Sequence, residues 1–270
     1  MTRPRDVKME KIKVFLSDQQ VLFREGIHFI LSGEDEFEVT GETTSNEEAF
    51  TFIEANPPNI AILNVSDIKT SGFDITRRIR RNLPSVFVIL IMDNKDPEKI
   101  FAAIKSGASA CLTKDTEPEH LLDVIRVVAQ GSFPVMEELL TAGLASMILT
   151  EFADIAAINE QFDNLLANLA PKETQILNNI AAGNNIEQIS VKLDMTEETI
   201  RRSIRLILNK LVSNDQARTV IEAAQRSLPS ITRGSGKRDG KSIEYVTKAE
   251  FNEFKDHLME RLKSLIGELA

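Results

Sequence analysis

Short apolar runs alternate with helical patterns over residues 12–130. The runs are KVFL, FEVTG, NIAIL, VFVILIM and ACLTK, and segments with apolar residues every three or four positions separate them. Five strand–helix units of this kind predict an α/β fold, a doubly wound five-stranded parallel sheet with helices on both faces. Ligand sites in such sheets lie beyond the carboxyl ends of the strands. The residues found there are Asp18, Gln19, Asn64, Met92 and Lys114.

Residues 133–168 are predicted to form a helical linker. Apolar residues recur there at a spacing close to a heptad, and Glu151 interrupts the pattern. Two interpretations fit this spacing, a linker helix that packs on its own subunit and a short dimerising coiled coil. The apolar positions are Ile148, Ile155, Ile158, Phe162, Leu165 and Leu169.

Residues 169–228 contain helical patterns and no strand pattern, which predicts an all-α domain. Pro171 suits the first position of a helix, and AAGNN at 181–185 turns the chain. Thr196 is a suitable N-cap for a longer helix that runs from Glu197 to about Leu211. Short helix, turn, short helix, turn, long helix is the order of a helix-turn-helix domain. A basic run lies on the side of the long helix opposite its apolar stripe, at Arg201, Arg202, Arg205 and Lys210.

The end of the chain combines a polar segment with an amphipathic one. TRGSGKRDGKS, within residues 229–246, is rich in Gly, Ser and charge and predicts a flexible linker. Residues 247–270 predict a helix whose apolar stripe needs a partner, because an isolated helix of this length is marginal in water. We expect a coiled coil with another chain, with packing on its own subunit as the alternative. The stripe is Phe251, Phe254, Leu258, Leu262, Leu265 and Leu269.

Composition narrows the function classes. The chain has 270 residues, a formal net charge of −9 and one cysteine, Cys111. This charge excludes a wholly nucleic-acid-coating protein but leaves room for a local basic face. The single cysteine, the missing secretion signal and the lack of a long apolar run predict a cytoplasmic protein with no membrane contact. The scattered histidines and the lack of a nucleophile–base pattern predict no metal, no cofactor and no catalytic residue, so we expect no enzyme.

Several stretches together resemble a response regulator of the NarL/FixJ type. They are LFREGI (22–27), KSGASACLTKD (105–115), PEHLLDVIRVVAQGS (118–132), LAPKETQILNNIAAG (169–183) and ISVKLDMTEETIRRSIRLILNKL (189–211). The resemblance covers about residues 12–228. It implies a receiver domain at 11–132, and a LuxR-type helix-turn-helix that binds DNA at 169–228.

The resemblance also implies which residues a working receiver needs. Two acids after the first strand and an acceptor aspartate hold Mg²⁺, a Thr or Ser after the fourth strand bonds the phosphate, and a Lys after the fifth strand pairs with it. Here Gln19, Asn64 and Met92 stand at the second acid, the acceptor and the hydroxyl positions, and Cys111 replaces the switch aromatic. Only Asp18 and Lys114 match. An amide has no carboxylate nucleophile, so we expect a pseudo-receiver in which Asp18 pairs with Lys114.

The same resemblance assigns DNA contact to the long helix of the second domain. Two features depart from the family, Ser203 and the stretch VSNDQA at 212–217, which lacks the usual turn. The expected function is transcription regulation without receiver phosphorylation, by a homo-oligomer that binds double-stranded DNA. The alternative is a protein-interaction adaptor with a vestigial helix-turn-helix, in which the pseudo-receiver and the terminal helix bind other proteins. The candidate DNA-contacting residues are Thr196, Arg201, Arg202, Arg205 and Lys210.

Overall fold

The computed structural model describes residues 11–66, 71–159, 166–227, 234–238 and 241–245. Its first part contains five strands, β1 (Ile12–Ser17), β2 (Phe37–Thr43), β3 (Ile60–Asn64), β4 (Phe87–Met92) and β5 (Ala110–Thr113). They form one parallel sheet in the order β2-β1-β3-β4-β5. This arrangement confirms the predicted doubly wound sheet.

Five helices alternate with these strands and cover both faces of the sheet. They are α1 (Val21–Ser32), α2 (Asn46–Ala55), α3 (Gly72–Asn82), α4 (Pro97–Ser106) and α5 (Pro118–Ala129). Helices α1 and α5 share one hydrophobic core with Val14 and Leu16, whereas Phe15 points into the core under α2, α3 and α4. Successive residues of a strand therefore point into opposite cores. This explains why the strands are apolar throughout rather than alternating between apolar and polar residues.

The predicted helical linker consists of two helices, α6 (Val135–Glu138) and α7 (Ala142–Asn159). Ile148 and Ile155 are 0% and 1% exposed, and both belong to the core under α2, α3 and α4. At these two positions the structure favours the linker helix over the dimerising coiled coil, because the apolar stripe is already buried in its own chain. The side chains of Ile158, Phe162 and Leu165 lie outside the described residues.

The helix-turn-helix part contains α8 (Pro171–Ala181), α9 (Ile186–Leu193) and α10 (Glu197–Ser227). Helix α10 is 31 residues long, so the prediction that it ends near Leu211 is wrong. No Gly or Pro occurs between residues 197 and 227, so the stretch VSNDQA contains neither of the two strongest helix breakers. The chain therefore continues helically through the segment where sequence comparison expects a turn.

The sheet part and the helical part share one hydrophobic core. The core under α2, α3 and α4 continues through α6 and α7 to Ile176 of α8, Ile189 of α9 and Ile204 of α10. Helix α10 also packs directly against α4. The orientation of α10 relative to the sheet is therefore fixed by buried contacts in this structure.

The segment predicted as a flexible linker differs from that prediction. Strands β6 (Gly234–Arg238) and β7 (Lys241–Tyr245) pair antiparallel, so irregular chain is the wrong description of these ten positions. The sequence contains the dipeptide Asp-Gly at positions 239 and 240, and this dipeptide is a hairpin signal that competes with the polar composition of the segment. The amphipathic stripe from Phe251 to Leu269 lies outside the described residues.

Candidate functional site

Asp18 and Asn64 meet at the carboxyl edge of the sheet, because β1 and β3 are neighbouring strands. Both side chains are buried, at 5% and 4% exposure. The Asn64 Nδ2 group donates to Asp18 Oδ2 at 2.8 Å, and Asn64 Oδ1 accepts from the Ser66 backbone N–H at 2.8 Å. The Gln20 backbone N–H donates to the other carboxylate oxygen of Asp18 at 2.7 Å. Both oxygens of this buried carboxylate thus accept a hydrogen bond.

Polar side chains beneath these two residues fix them in place. Asn46 Nδ2 donates to the Asn64 backbone carbonyl at 2.8 Å, and the Ser17 hydroxyl donates to Asn46 Oδ1 at 2.9 Å. Arg24 Nη1 donates to the Asp18 carbonyl at 2.9 Å. Since buried polar groups with their hydrogen bonds satisfied resist rearrangement, the Asp18–Asn64 pair is held in a defined geometry.

Lys114 does not form the tight pair with Asp18 that the sequence predicts. Its Nζ atom lies 3.9 Å from Asp18 Oδ2 but 3.1 Å from Asp93 Oδ1. Asp93 follows β4 directly, at the same sheet edge, and sequence comparison does not single it out. The Nε2 group of Gln19 donates to the Ser66 carbonyl at 3.2 Å. Of these two carboxylates, the one nearer to Lys114 is therefore that of Asp93, an exposed residue.

Two further positions of the pocket are filled by apolar or inert groups. Met92 is fully buried and belongs to the core under α2, α3 and α4. Cys111 is buried beside it in that core, and burial raises the pKa of its thiol to about 12. Neither side chain offers a hydroxyl to a phosphoryl group. Among the described residues, no three His, Cys, Asp or Glu side chains group closely enough to hold a metal ion.

The basic run of α10 divides into side chains in different surroundings. Ile200 and Ile204 are buried and hold the helix to its own part of the chain. Arg201, Arg202 and Arg205 are all exposed. Arg201 Nη1 lies 2.9 Å from Glu137 Oε1 on α6, so this arginine pairs with the linker. Two of the three arginines thus remain outside any ion pair within the described residues.

Two of the candidate DNA-contacting residues, Lys210 and Thr196, make contacts within the helix-turn-helix part. Lys210 Nζ lies 2.7 Å from Glu173 Oε2 and donates to the Asn168 carbonyl at 3.0 Å. Glu173 is 5% exposed and its carboxylate also accepts from the Ala170 backbone N–H, which caps α8. The Thr196 hydroxyl accepts from the Thr199 backbone N–H at 3.2 Å, as the N-cap prediction requires. These contacts favour structural roles for both residues.

The stretch VSNDQA contains the residues that dock α10 onto the rest of the chain. Arg77 Nε of α3 lies 2.5 Å from Asp215 Oδ2. Burial lowers the pKa of Arg77, but its hydrogen bonds and charge interaction with Asp215 outweigh that effect and raise it. Asn214 is 3% exposed and bonds both the N–H and the carbonyl of Ala167, at 2.8 and 2.9 Å. The residues that depart from the family pattern therefore make the contacts that dock α10.

A second ion-pair group joins α10 to α4 and α7. Glu151 of α7 accepts from Lys105 Nζ at 2.7 Å and from Arg218 Nη1 at 2.9 Å. All three side chains are less than two-fifths exposed. Glu151, the residue that interrupts the apolar pattern of the linker, is thus the centre of a bridge between the sheet part and α10.

Comparison with known families matches both halves of the chain. Residues 14–126 match the response regulator receiver domain, and residues 167–223 match the luxR family of bacterial regulatory proteins. Within the described residues, no helix combines the length and the apolar composition that crossing a membrane would require.

Similar curated proteins align over most of this chain. The nitrate/nitrite response regulator protein homolog of Haemophilus influenzae is 30% identical over 213 residues, with 78% of this chain and 96% of that protein covered. The transcriptional regulatory protein YxjL of Bacillus subtilis is 27% identical, with 81% and 98% covered. The transcriptional regulatory protein DegU of Brevibacillus brevis is also 27% identical, with 80% and 94% covered.

Proposed function

The chain belongs to the response regulators that join a receiver domain to a LuxR-type DNA-binding domain, and from this membership we propose that it regulates transcription by binding DNA without phosphorylation of its receiver. The family supplies the class of function. The finer statement, that the receiver no longer accepts a phosphoryl group, rests on the residues of its strand-end pocket.

The hydrogen bond from Asn64 to Asp18 is the observation that carries this proposal. In the response regulators that the chain resembles, these two positions hold the phosphate acceptor and a metal-binding acid. Here one is a neutral amide, and it uses its N–H to satisfy the other. Mg²⁺ prefers several hard oxygen ligands in octahedral geometry, and Asp18 is the one carboxylate of the described pocket that is buried. Met92 adds no hydroxyl, so the pocket keeps Lys114 but has neither the acceptor carboxylate nor the phosphate-binding hydroxyl.

The exposed arginines of α10 support the DNA-binding part of the proposal. Arg202 and Arg205 have no ion pair among the described residues, and Arg201 has one exposed partner that DNA phosphates could replace. Residues 169–228 contain eight basic and seven acidic residues, so the local charge is modest. Strong binding would need two copies on adjacent half-sites.

Self-association through exposed apolar surface is the second part of the proposal. Helix α1 exposes Leu22 and Phe29 at 89% and 81%, and the stripe from Phe251 to Leu269 is expected to pair with another chain. We expect light scattering to report a mass above that of one chain. Deleting residues 246–270 should lower it, and an unchanged mass would rule out the tail as the contact.

The phosphorylation-independent part can be tested with small phosphodonors. The full chain is incubated with acetyl phosphate, or with beryllofluoride and Mg²⁺, and examined by intact-mass spectrometry and by DNA binding. We expect no mass increase of one phosphoryl group and no change in affinity for a duplex selected by the untreated protein. A phosphoryl adduct together with altered DNA affinity would contradict the proposal.

An adaptor function is the second candidate. The docking of α10 on α3 and α4 through Asp215, and the pairing of Arg201 with Glu137, occupy part of the basic helix and favour this alternative, in which the pseudo-receiver binds another protein. Selection of duplexes from a genomic library separates the two functions. A folded full-length protein with no salt-dependent affinity for any duplex would support the adaptor.

A further inference from the structure

A cavity of about 580 Å³ lies between the receiver and α10. On the receiver side it is lined by Arg80 of α3 and by Gly107, which follows α4. On the other side it is lined by residues of α10 from Arg205 to Gln216. The volume is in the range of sites that hold small organic molecules.

The walls of the cavity combine apolar surface with positive charge. Phe133, Met136 and Leu208 contribute apolar side chains, whereas Arg80 and Arg205 contribute guanidinium groups. Among the residues that the structure describes, no Asp or Glu lines the cavity. A neutral ligand would leave both positive charges unmatched, and a small inorganic anion would leave the apolar walls in contact with water.

Neither arginine has a carboxylate partner among the described residues. Arg80 Nη1 donates to the backbone carbonyls of Pro84, at 2.8 Å, and Val86, at 3.5 Å. Burial lowers the pKa of Arg80, since no counter-ion offsets its desolvation. Arg205 has no ion pair in the described part of the chain. A cation that is partly buried and bonded only to carbonyls is stabilised by an anion beside it.

We propose that this cavity binds an amphipathic organic anion, in which a carboxylate, sulfonate or phosphate group contacts Arg80 and Arg205 while an aromatic or aliphatic body packs against Phe133, Met136 and Leu208. The site is separate from the strand-end pocket, and no step of receiver phosphorylation involves it. Arginine forks suit such head groups because they bond two oxygens at once.

Occupation of the cavity has a consequence for α10, and this consequence rests on the proposed DNA-binding function. The ligand contacts the receiver through Arg80 and α10 through Arg205, so it stabilises the docked arrangement. It also engages Arg205, one of the candidate DNA-contacting residues. A ligand that prefers the docked state lowers DNA affinity by the ratio of its affinities for the two states.

The site can be tested with 8-anilinonaphthalene-1-sulfonate, a fluorescent amphipathic anion, and the full chain in the absence of DNA. We expect one saturable site per chain. Its affinity should fall at least tenfold in Arg205→Gln and Arg80→Gln, and in Ser213→Trp, which adds bulk at an exposed cavity residue. Arg202→Gln is the matched control, because Arg202 is an exposed arginine of the same helix that does not line the cavity.

Three outcomes would overturn the site: no saturable binding, equal binding by wild type and the exposed-residue variants Arg205→Gln and Ser213→Trp, or equal binding of the uncharged analogue N-phenyl-1-naphthylamine. Circular dichroism checks that each variant is folded. Since this titration contains no DNA, failure of the DNA-binding proposal leaves its result unaffected. Adding a selected duplex afterwards tests the consequence, and we expect it to displace the probe from wild type.

Discussion

The side-chain amide of Asn64 donates a 2.8 Å hydrogen bond to the carboxylate of Asp18, and both groups are buried at the carboxyl edge of the sheet. Where a working receiver brings two carboxylates together around a metal ion, this chain has one carboxylate and one donor. Each oxygen of the Asp18 carboxylate accepts a hydrogen bond, one from the Asn64 amide and one from the Gln20 backbone N–H. The contribution of this hydrogen bond to folding can be measured without any phosphodonor.

Asn64→Asp should destabilise the receiver at neutral pH. The substitution removes the donor and sets two buried carboxylates against each other, which we expect to cost on the order of 1–3 kcal/mol of unfolding free energy. Like-charge repulsion favours protonation in the folded state, so the loss should be largest at pH 7.5 and should shrink as pH falls towards 5. Urea unfolding at the two pH values measures it.

Asn59→Asp is the control for this substitution. Asn59 is exposed, and its Oδ1 atom accepts from the Lys13 backbone N–H at 2.7 Å, so an aspartate there keeps the acceptor. It should change stability by less than about 0.5 kcal/mol. Equal stability of Asn64→Asp and wild type at pH 7.5 would show that the Asn64 amide is not needed to satisfy Asp18.

The sequence predicts most of the sheet and only part of the pocket. Apolar runs identify every strand of the sheet, and the rule that sites follow strand ends identifies Asp18, Asn64 and Lys114. It does not rank the side chains within a loop, so Asp93 goes unnoticed although it is closer to Lys114 than Asp18 is. Long-range partners of this kind depend on loop conformation, which periodicity does not encode.

The domain contacts are the other part that sequence reasoning does not reach. The stretch VSNDQA differs from the family turn, and in the sequence this looks like decay of the helix-turn-helix. In the structure Asn214 and Asp215 are buried bonding residues of a continuous helix. Their partners, Ala167 and Arg77, are 47 and 138 positions away. A single sequence contains no signal for a pairing at that distance.

Cys111 should behave as a buried structural thiol. Burial raises the pKa of its thiol to about 12, so the reactive thiolate is scarce at pH 8, and burial blocks access as well. We therefore expect iodoacetamide to label the native chain only as fast as the receiver opens, and to label it readily in urea. Rapid labelling of the native chain, measured by mass spectrometry, would mean that the β5 edge is accessible.

Asp215→Asn should loosen α10 from the receiver. The Asp215 and Arg77 side chains are 11% and 26% exposed, and removing the charge should cost about 1–3 kcal/mol of docking free energy, less than for a fully buried pair. If DNA binding requires α10 to leave α3 and α4, affinity for a selected duplex should rise three- to tenfold. Fluorescence energy transfer between labels on the receiver and α9 measures the docking directly.

Asp74→Asn separates this effect from a general change in charge. Asp74 also pairs with Arg77, at 2.9 Å, but it is 60% exposed and lies on the same helix. It should leave both docking and DNA affinity near wild type. If both variants raise DNA affinity equally, net charge rather than domain docking is the cause.

Lys210→Met should lower the stability of the chain, whereas Arg202→Ala should weaken DNA binding, because the two basic residues have different surroundings. Lys210 Nζ lies 2.7 Å from Glu173 Oε2, and Glu173 is 5% exposed. Removing the ammonium group therefore leaves the buried Glu173 carboxylate without its ion-pair partner. We expect a loss of about 1–3 kcal/mol in unfolding free energy.

Arg202 is exposed and pairs with no described residue, so its replacement should leave stability unchanged and weaken DNA binding. If it contacts a phosphate, the salt slope should fall by about one unit, whereas a base contact should cost about 1–3 kcal/mol for one sequence only. Urea unfolding and duplex titrations at several salt concentrations, performed on both variants, provide the measurement. Should Lys210→Met instead weaken DNA binding with stability unchanged, then Lys210 contacts DNA as the sequence predicts, and its pair with Glu173 contributes little.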